Sequence, residues 1–320
     1  SIISQANERV EIVVCDNASE DDTRDVVEKF RRSFPALVYF RQRENVGADR
    51  NYLKSVELAS GDYCWLFGSD DVLKEHAIVR VLRELDSGLD VYLCGLTLCS
   101  RDMTPICDHR VSRIDTDAVY DLGSAMERIK YFELALSTTA LFSFLGSLII
   151  KRSKWDEVSI DEERFIGTLW SHAAKVFGMI PQGLKLKYLR EPQLFKRGEN
   201  DSFLDKGMAH RINISVRGYQ MMGDLFFGPG SDESRHIRRV LKLEWPLVAF
   251  IGLQRQCKGN MKEAGDLQRV FQACYSGPEL LDRFRNLVFH SGLLSCLYVL
   301  MHSTDHLARS QVKKWIYGNH

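Results

Sequence analysis

The stretch GDYCWLFGSDDVLKE, residues 61–75, decides the reading of this chain. Tyr63 to Phe67 form an apolar run with no polar alternation, which fits a strand buried on both faces. The run ends at Gly68 and Ser69 and meets two adjacent carboxylates, Asp70 and Asp71, before helix-forming residues resume at Lys74 and Glu75. Neighbouring carboxylates repel and raise each other's proton affinity, so the pair costs stability unless a cation or hydrogen-bond donors compensate. A helix cap would account for one of the two; a divalent ion held by one or two carboxylates would account for both.

The same grammar extends on either side. VEIVVC (10–15), LVYFR (37–41) and DVYLCGL (90–96) read as strands, separated by helices over about 20–32, 47–59 and onward from Glu75. Strands alternating with helices indicate βαβ units and a mostly parallel sheet with helices on both faces. From 100 to 200 the pattern loosens, with a helix near 123–136, a strand SLIIKR (147–152), a helix across 166–177 and a strand LKLKYL (184–189). Beyond Asp205 the pattern is helical, broken at GPGSD (228–232), KGN (258–260) and SGP (276–278). Leu280, Phe284, Leu287 and Val288 mark one apolar helix face there; internal packing is the ordinary reading of such content, with cover over the acceptor site, dimerisation and rest on a membrane as the alternatives for this helical tail. The expected organisation is an α/β domain over 1–204, with a nucleotide-binding half to residue 100 and an acceptor half after it, followed by a helical region over 205–320.

Composition narrows the function. The chain has 320 residues, 45% hydrophobic and 27% charged, with 43 basic and 43 acidic side chains, so no net charge draws it to nucleic acid. Eight cysteines occur without CxxC pairs or metal-like spacing, which points to reduced thiols and a cytoplasmic location. The apolar stretch Leu293 to Met301 is too short to cross a bilayer, which needs about 20 residues. The chain starts without Met, partway through what reads as a helix, and a preceding segment is expected.

Two further polar clusters fall at strand ends, where open α/β sheets collect ligands. In CDNASEDDT (15–23), Ser19 and Asp22 fit a capping box for the next helix. Asp16 stands outside that account, and ligand binding and turn formation are both open for it. In RENVGADRN (43–51), Gly47 can bring backbone close to a ligand, and Arg50 lies in the first turns of a helix whose N–H groups favour anions. FKRGENDS (195–202) is a basic loop in which Arg197 could pair with phosphate; an ordinary surface turn is the alternative.

In this order and at these separations, EIVVCDNASEDDT and ENVGADRNYLKSVELASGDYCWLFGSDD resemble the nucleotide-binding half of family-2 inverting glycosyltransferases of the GT-A fold, among them bacterial O-antigen enzymes of the abequosyltransferase-like kind. The resemblance implies a nucleoside diphosphate sugar donor, a saccharide or lipid-linked acceptor reached by peripheral membrane contact, and Mg²⁺ or Mn²⁺. It implies that Asp16, with Asn17 beside it, contacts the base, that Asn45, Gly47 and Arg50 line the nucleotide pocket, that Asp70 meets ribose or the ion, and that Asp71 is the principal metal ligand. Two departures stand out. The family's opening strand and its Pro-Thr-Tyr-Asn-like loop are absent, and the acid pair expected at the start of the helix leading to Gly178 is replaced by FIGTLWSHAAKVFG (165–178). The candidates for a general base are then Glu163, before that helix, and His172, within it, whose ordinary pKa suits proton transfer at neutral pH. A sugar nucleotidyltransferase and a non-catalytic sugar-nucleotide or partner-binding protein remain as rival readings. No oligomeric state follows from the sequence.

Overall fold

The computed structural model describes residues 1–200, 206–257, 260–275 and 280–302. The chain divides into two compact units, Ser1–Asn200 and Asp201–His320. Lys258, Gly259 and Ser276 to Pro278 of the expected breaks, and Asp201 and Ser202 of the basic loop, lie outside the described residues.

In the first unit the order is β1 (Ile12–Asp16), α1 (Thr23–Arg31), β2 (Leu37–Arg41), α2 (Ala48–Glu57), β3 (Tyr63–Trp65), β4 (Val72–Leu73), α3 (Ala77–Leu85), β5 (Val91–Cys99), β6 (Pro105–Asp108), β7 (Ala118–Asp121), α4 (Ala125–Leu134), β8 (Leu148–Lys151), α5 (Arg152–Glu157), α6 (Ser171–Met179) and β9 (Lys185–Lys196). β1 and β2 form a parallel pair in which Asp16 stands opposite Arg41. The other strands make a seven-stranded sheet with the central order β3-β8-β5-β9-β4, with β6 added to β5 and β7 to β9.

This sheet is mixed, which corrects the expectation of a mostly parallel one. Only β5 and β9 run parallel within it; β3 with β8, β8 with β5, β4 with β9, β5 with β6 and β7 with β9 are antiparallel. The residues after 100 return through hairpins and short helices instead of βαβ crossovers, so their strands enter from the opposite direction. β9 contains Pro192, which a regular central strand would exclude. It is accommodated at a register shift where Cys94 faces Leu189 and Gly95 faces Pro192. Gly95 is required there: a Cβ on it would lie 2.4 Å from the Arg190 carbonyl oxygen. One apolar cluster beneath the sheet joins Leu73, Ile78, Val81, Tyr92, Leu96 and Leu194, all buried.

The second unit contains α7 (Met208–Phe227), α8 (Asp232–Glu244), α9 (Leu247–Gln256), α10 (Met261–Tyr275), α11 (Leu280–His290) and α12 (Gly292–His302). Ser231 caps α8 by accepting the Ser234 amide at 3.1 Å, which is why the chain breaks at GPGSD. Its core stacks Phe271 on Phe289, 3.9 Å between ring centroids, against Phe250 and Tyr275. On α11, Val288 and Phe289 are buried, but Leu280, Phe284 and Leu287 are exposed. Of the four residues on the expected packing face, Val288 is turned inward and the other three outward.

Candidate functional site

The expected site residues lie on four chain segments of the first unit, which hydrogen bonds join in two pairs: the end of β1 with the loop that opens α2, and the end of β3 with the exit of β9. At the end of β1 the Asp16 carboxylate is buried and fully engaged. Oδ1 accepts the Ser19 amide at 2.8 Å, Oδ2 accepts the Tyr39 hydroxyl at 2.7 Å, and the Arg41 Nε lies 3.4 Å from Oδ2. Burial alone would raise its pKa; the Ser19 and Tyr39 hydrogen bonds and Arg41 outweigh it and hold the carboxyl below the usual carboxylate range. Asp16 thus folds the β1–α1 turn from inside. Ser19 spends its amide on Asp16, α1 starts only at Thr23, and Asp22 makes no side-chain cap, so the expected capping box does not form.

Asn17 carries the link to the next loop. It donates through Nδ2 to Asn45 Oδ1 at 2.8 Å and accepts the Val46 amide at 2.9 Å, while Asn45 Oδ1 also accepts the Gly47 amide at 3.0 Å. Gly47 is the residue before α2, at φ +85°, with open space where a Cβ would stand. These conditions favour glycine and leave the backbone of this turn approachable by a ligand. Asn51, one turn into α2, donates to the Cys15 carbonyl at 2.9 Å and fixes the helix on β1.

The acidic pair lies between β3 and β4. Neither carboxylate caps a helix, since α3 begins only at Ala77, behind His76 in a left-handed conformation. The exit of β9 crosses the pair instead. Asp71 Oδ1 accepts the Arg197 amide at 3.0 Å, Asp70 Oδ2 accepts Asn200 Nδ2 at 2.9 Å, and Arg197 Nε donates to the Asp70 carbonyl at 3.1 Å. The Arg197 guanidinium also donates to the Arg101 carbonyl. A Cβ added to Gly68 would lie 2.8 Å from Asp70 Oδ1 and 3.0 Å from Asp71 Oδ2, the two oxygens not used in those bonds. Both therefore face one small space above Gly68. Burial, together with the neighbouring Asp70 charge, pushes the Asp71 carboxyl up to about 6, against the opposing pull of the Arg197 amide and the Lys196 and Arg197 charges.

A hard divalent cation fits this donor set, because two oxygen ligands converge and one of them is held in an environment that disfavours its uncompensated charge. Among the described residues no group of three or more His, Cys, Asp or Glu side chains is placed to enclose a metal. A cation here would draw its other ligands from a bound phosphate or water.

The remaining expected residues divide. Arg50 and Glu163, on segments far apart in sequence, form a two-pronged ion pair, Nη1 to Oε1 at 2.9 Å and Nη2 to Oε2 at 2.8 Å, on the surface. His172 corrects an expectation. It is buried on α6 beside the Tyr52 and Trp170 rings, with its ring nitrogens near the Phe142 and Ser143 backbone but in no well-formed hydrogen bond. Burial pushes its pKa down to about 4, against the attraction of Asp49 and the pull of the Ser143 and Phe142 backbone.

α6 itself starts at Ser171, later than the sequence suggests, because Asp49 holds the preceding turn open. This carboxylate, buried in the first turn of α2, accepts the amides of Gly167 and Leu169 at 2.8 and 2.9 Å on Oδ2 and of Ser171 at 3.1 Å on Oδ1. Gly167 and Leu169 both adopt positive φ, 82° and 70°. Sequence reasoning missed Asp49, Tyr39, Asn51 and Asn200. An acidic residue in a first helical turn reads as an ordinary response to the helix dipole, and nothing local betrays a partner 120 residues away.

The glycosyl transferase family 2 model matches residues 1–137. Abequosyltransferase RfbV of Salmonella typhimurium is 36% identical over 266 residues, covering 82% of this chain and 79% of RfbV. The teichuronic acid biosynthesis glycosyltransferase TuaG of Bacillus subtilis, a tentative assignment by its own name, is 26% identical over 107 residues, 33% of this chain and 42% of TuaG. Among solved structures, S. aureus TarS 1–349 in complex with UDP-GlcNAc superposes with a TM-score of 0.52 at 15% identity, over 82% of this chain and 72% of that one. The mixed sheet flanked by helices is thus a GT-A-type arrangement. The chain belongs to glycosyl transferase family 2 and is a glycosyltransferase.

Proposed function

We propose that this enzyme transfers a sugar, with inversion and with the help of Mg²⁺ or Mn²⁺, from a nucleoside diphosphate to a saccharide or lipid-linked saccharide acceptor during assembly of a bacterial surface polysaccharide. The observation that carries the proposal is the convergence of Asp70 Oδ1 and Asp71 Oδ2 on one space above Gly68, beside the β9 exit. RfbV, by its name an abequosyltransferase, makes a dideoxyhexose the first donor sugar to test. The eight unpaired cysteines suit a reducing, cytoplasmic setting.

In this reading Asp71, with Asp70, holds the cation, which when bound offsets the charge on the departing diphosphate. The Asn17–Asn45–Gly47 turn lines the nucleotide pocket, and Asp16 keeps the floor of that pocket in shape. Arg50 meets diphosphate oxygens, for which its planar fork is suited. Glu163 then serves as general base: once phosphate takes its place on Arg50, its carboxylate is released to accept the acceptor hydroxyl proton. His172 is set aside for this role because its ring is buried on α6, shut away from solvent and from an incoming acceptor hydroxyl.

The domain assignment completes the reading, with donor and acceptor chemistry in the first unit. The test is a thermal-shift screen of UDP, CDP, GDP and dTDP with and without Mn²⁺, because specific ligands stabilise by mass action. A matched nucleotide that stabilises only with the ion, followed by turnover releasing that diphosphate, supports the proposal. Release of pyrophosphate would indicate nucleotidyl transfer, and binding without turnover a non-catalytic protein.

A further inference from the structure

α6 is closed in along its whole length: all nine residues from Ser171 to Met179 are buried. One of them is a lysine. Lys175 is 6% exposed, and an ammonium so placed is costly unless its donors are engaged. Its Nζ donates to the Val158 carbonyl at 2.8 Å, lies 3.3 Å from Glu162 Oε1, and stands 5.4 Å from the centre of the buried Trp155 ring. An apolar side chain of similar volume would fill the same space without that cost, so packing alone does not call for lysine here.

The three contacts lead to one place. Trp155 lies on α5, Val158 directly follows α5, and Glu162 opens the short 3-10 turn Glu162–Arg164 that presents Glu163. Lys175 therefore ties α6 to both ends of segment 158–162. Behind the turn, the amide of fully buried Phe165 donates to the Glu162 carbonyl at 2.8 Å. The same ion pair separates two neighbouring glutamates: half-buried Glu162 is engaged by Lys175, while exposed Glu163 is turned toward Arg50.

We infer that Lys175 is a positioning residue: by holding Glu162 and the Val158 carbonyl, it sets where the Glu163 carboxylate stands once Arg50 has exchanged it for a phosphate. This rests on the reading of Glu163 as general base. A base must come within hydrogen-bond reach of the acceptor hydroxyl, and a misplacement of about 1 Å can lower a rate by about a hundredfold.

The test compares Lys175→Met, Lys175→Arg and Glu162→Gln with wild type. Turnover is read as release of the nucleoside diphosphate with Mn²⁺ present, affinity by calorimetric titration with whichever of UDP, CDP, GDP and dTDP the protein binds, and folding by the denaturant midpoint. Lys175→Met is expected to lower kcat by about tenfold or more, with nucleotide affinity within about twofold of wild type. Lys175→Arg keeps the charge and is expected to recover part of kcat. Glu162→Gln alters a half-buried side chain and keeps the test readable if Lys175→Met fails to fold; its kcat is expected to fall by about threefold or more with the midpoint unchanged. A lysine with a merely structural role would move the midpoint and leave the kcat of the folded protein intact. Wild-type kcat in folded Lys175→Met or in Glu162→Gln, with Glu163→Gln inactive, would overturn this inference alone, as would equal losses of kcat and nucleotide affinity. Full turnover in Glu163→Gln would overturn the base assignment and this inference with it.

Discussion

Arg50 and Glu163 face each other fork to fork, 2.8 and 2.9 Å apart, across 113 residues of sequence. The guanidinium proposed to meet diphosphate is therefore already holding a carboxylate of similar geometry. A phosphate that reaches Arg50 must displace Glu163, and both side chains stand in water, where such a pair is weakly held and salt-sensitive. Glu163→Gln is expected to tighten binding of the nucleoside diphosphate by about two- to fivefold, the range over which exposed pairs contribute, while abolishing transfer. Calorimetric titration and a turnover assay on the same variant check this. Unchanged affinity with full turnover would detach Glu163 from both roles.

The raised pKa of Asp71 has a sign that can be measured without any substrate. Its carboxyl titrates near 6 in the folded chain, against 3.8 ordinarily. Between about pH 4 and 6 the folded state keeps a proton that the unfolded chain has shed, so stability falls as pH rises through that window. Asp71→Asn removes the half-buried charge and still accepts the Arg197 amide. Without metal it is expected to be more stable than wild type at pH 7.5 by about 1 kcal/mol, after allowance for solvent screening, with the gap closing toward pH 4. The same variant is expected to lose the stabilisation that wild type gains from Mn²⁺. Denaturant midpoints at several pH values, with and without Mn²⁺, test both; a destabilised Asp71→Asn at neutral pH would contradict the assignment.

Gly68 offers a gentler perturbation of the same site. Its backbone is not in the left-handed region, so alanine is conformationally allowed, yet the new methyl would press on Asp70 Oδ1 and Asp71 Oδ2. Gly68→Ala is expected to keep the fold and to weaken Mn²⁺ binding by about tenfold or more, the scale on which displaced support of a metal ligand is felt. Titration with Mn²⁺ followed by paramagnetic resonance of the free ion reads this directly, and wild-type affinity would mean that no cation sits over Gly68.

How much of this was legible in the sequence follows from the range of the forces involved. β1, β2 and β5 are written as dense apolar runs, and the acidic pair declares itself because two adjacent charges need a reason. The strand directions after residue 100 were not legible: LKLKYL and SLIIKR carry no mark of which neighbour they will pair with, and β9 runs on through Pro192 to Lys196, well past the end of LKLKYL. His172 reads as a base in the sequence because its ordinary pKa is convenient; the burial that pushes that pKa down leaves no mark there. The stripe at Leu280, Phe284 and Leu287 has the spacing of a packed helix face, and periodicity does not say whether the face turns inward.

Asp49 ties α2 to the turn that leads into α6, in the part of the first unit proposed to receive the acceptor. Three backbone amides of the turn that leads into α6 have this carboxylate as their partner, two of them on residues with positive φ, so the turn has no easy alternative conformation. In Asp49→Asn one oxygen becomes an N–H donor, and whichever way the amide is placed, at least one backbone N–H is left facing it. Leaving buried donors unsatisfied costs about 1–3 kcal/mol each, so a loss of about 2–3 kcal/mol is expected in chemical denaturation. The functional consequence should be selective. Arg50 stands one residue away on α2 and keeps its contact with solvent, so affinity for the nucleoside diphosphate should stay within about twofold, while Glu163 loses the fixed turn that follows it and kcat falls by about tenfold or more. Asp49→Glu, which keeps the charge, should recover part of the stability. Loss of nucleotide affinity equal to the loss of kcat would mean that Asp49 supports the whole unit and has no special bearing on the acceptor side.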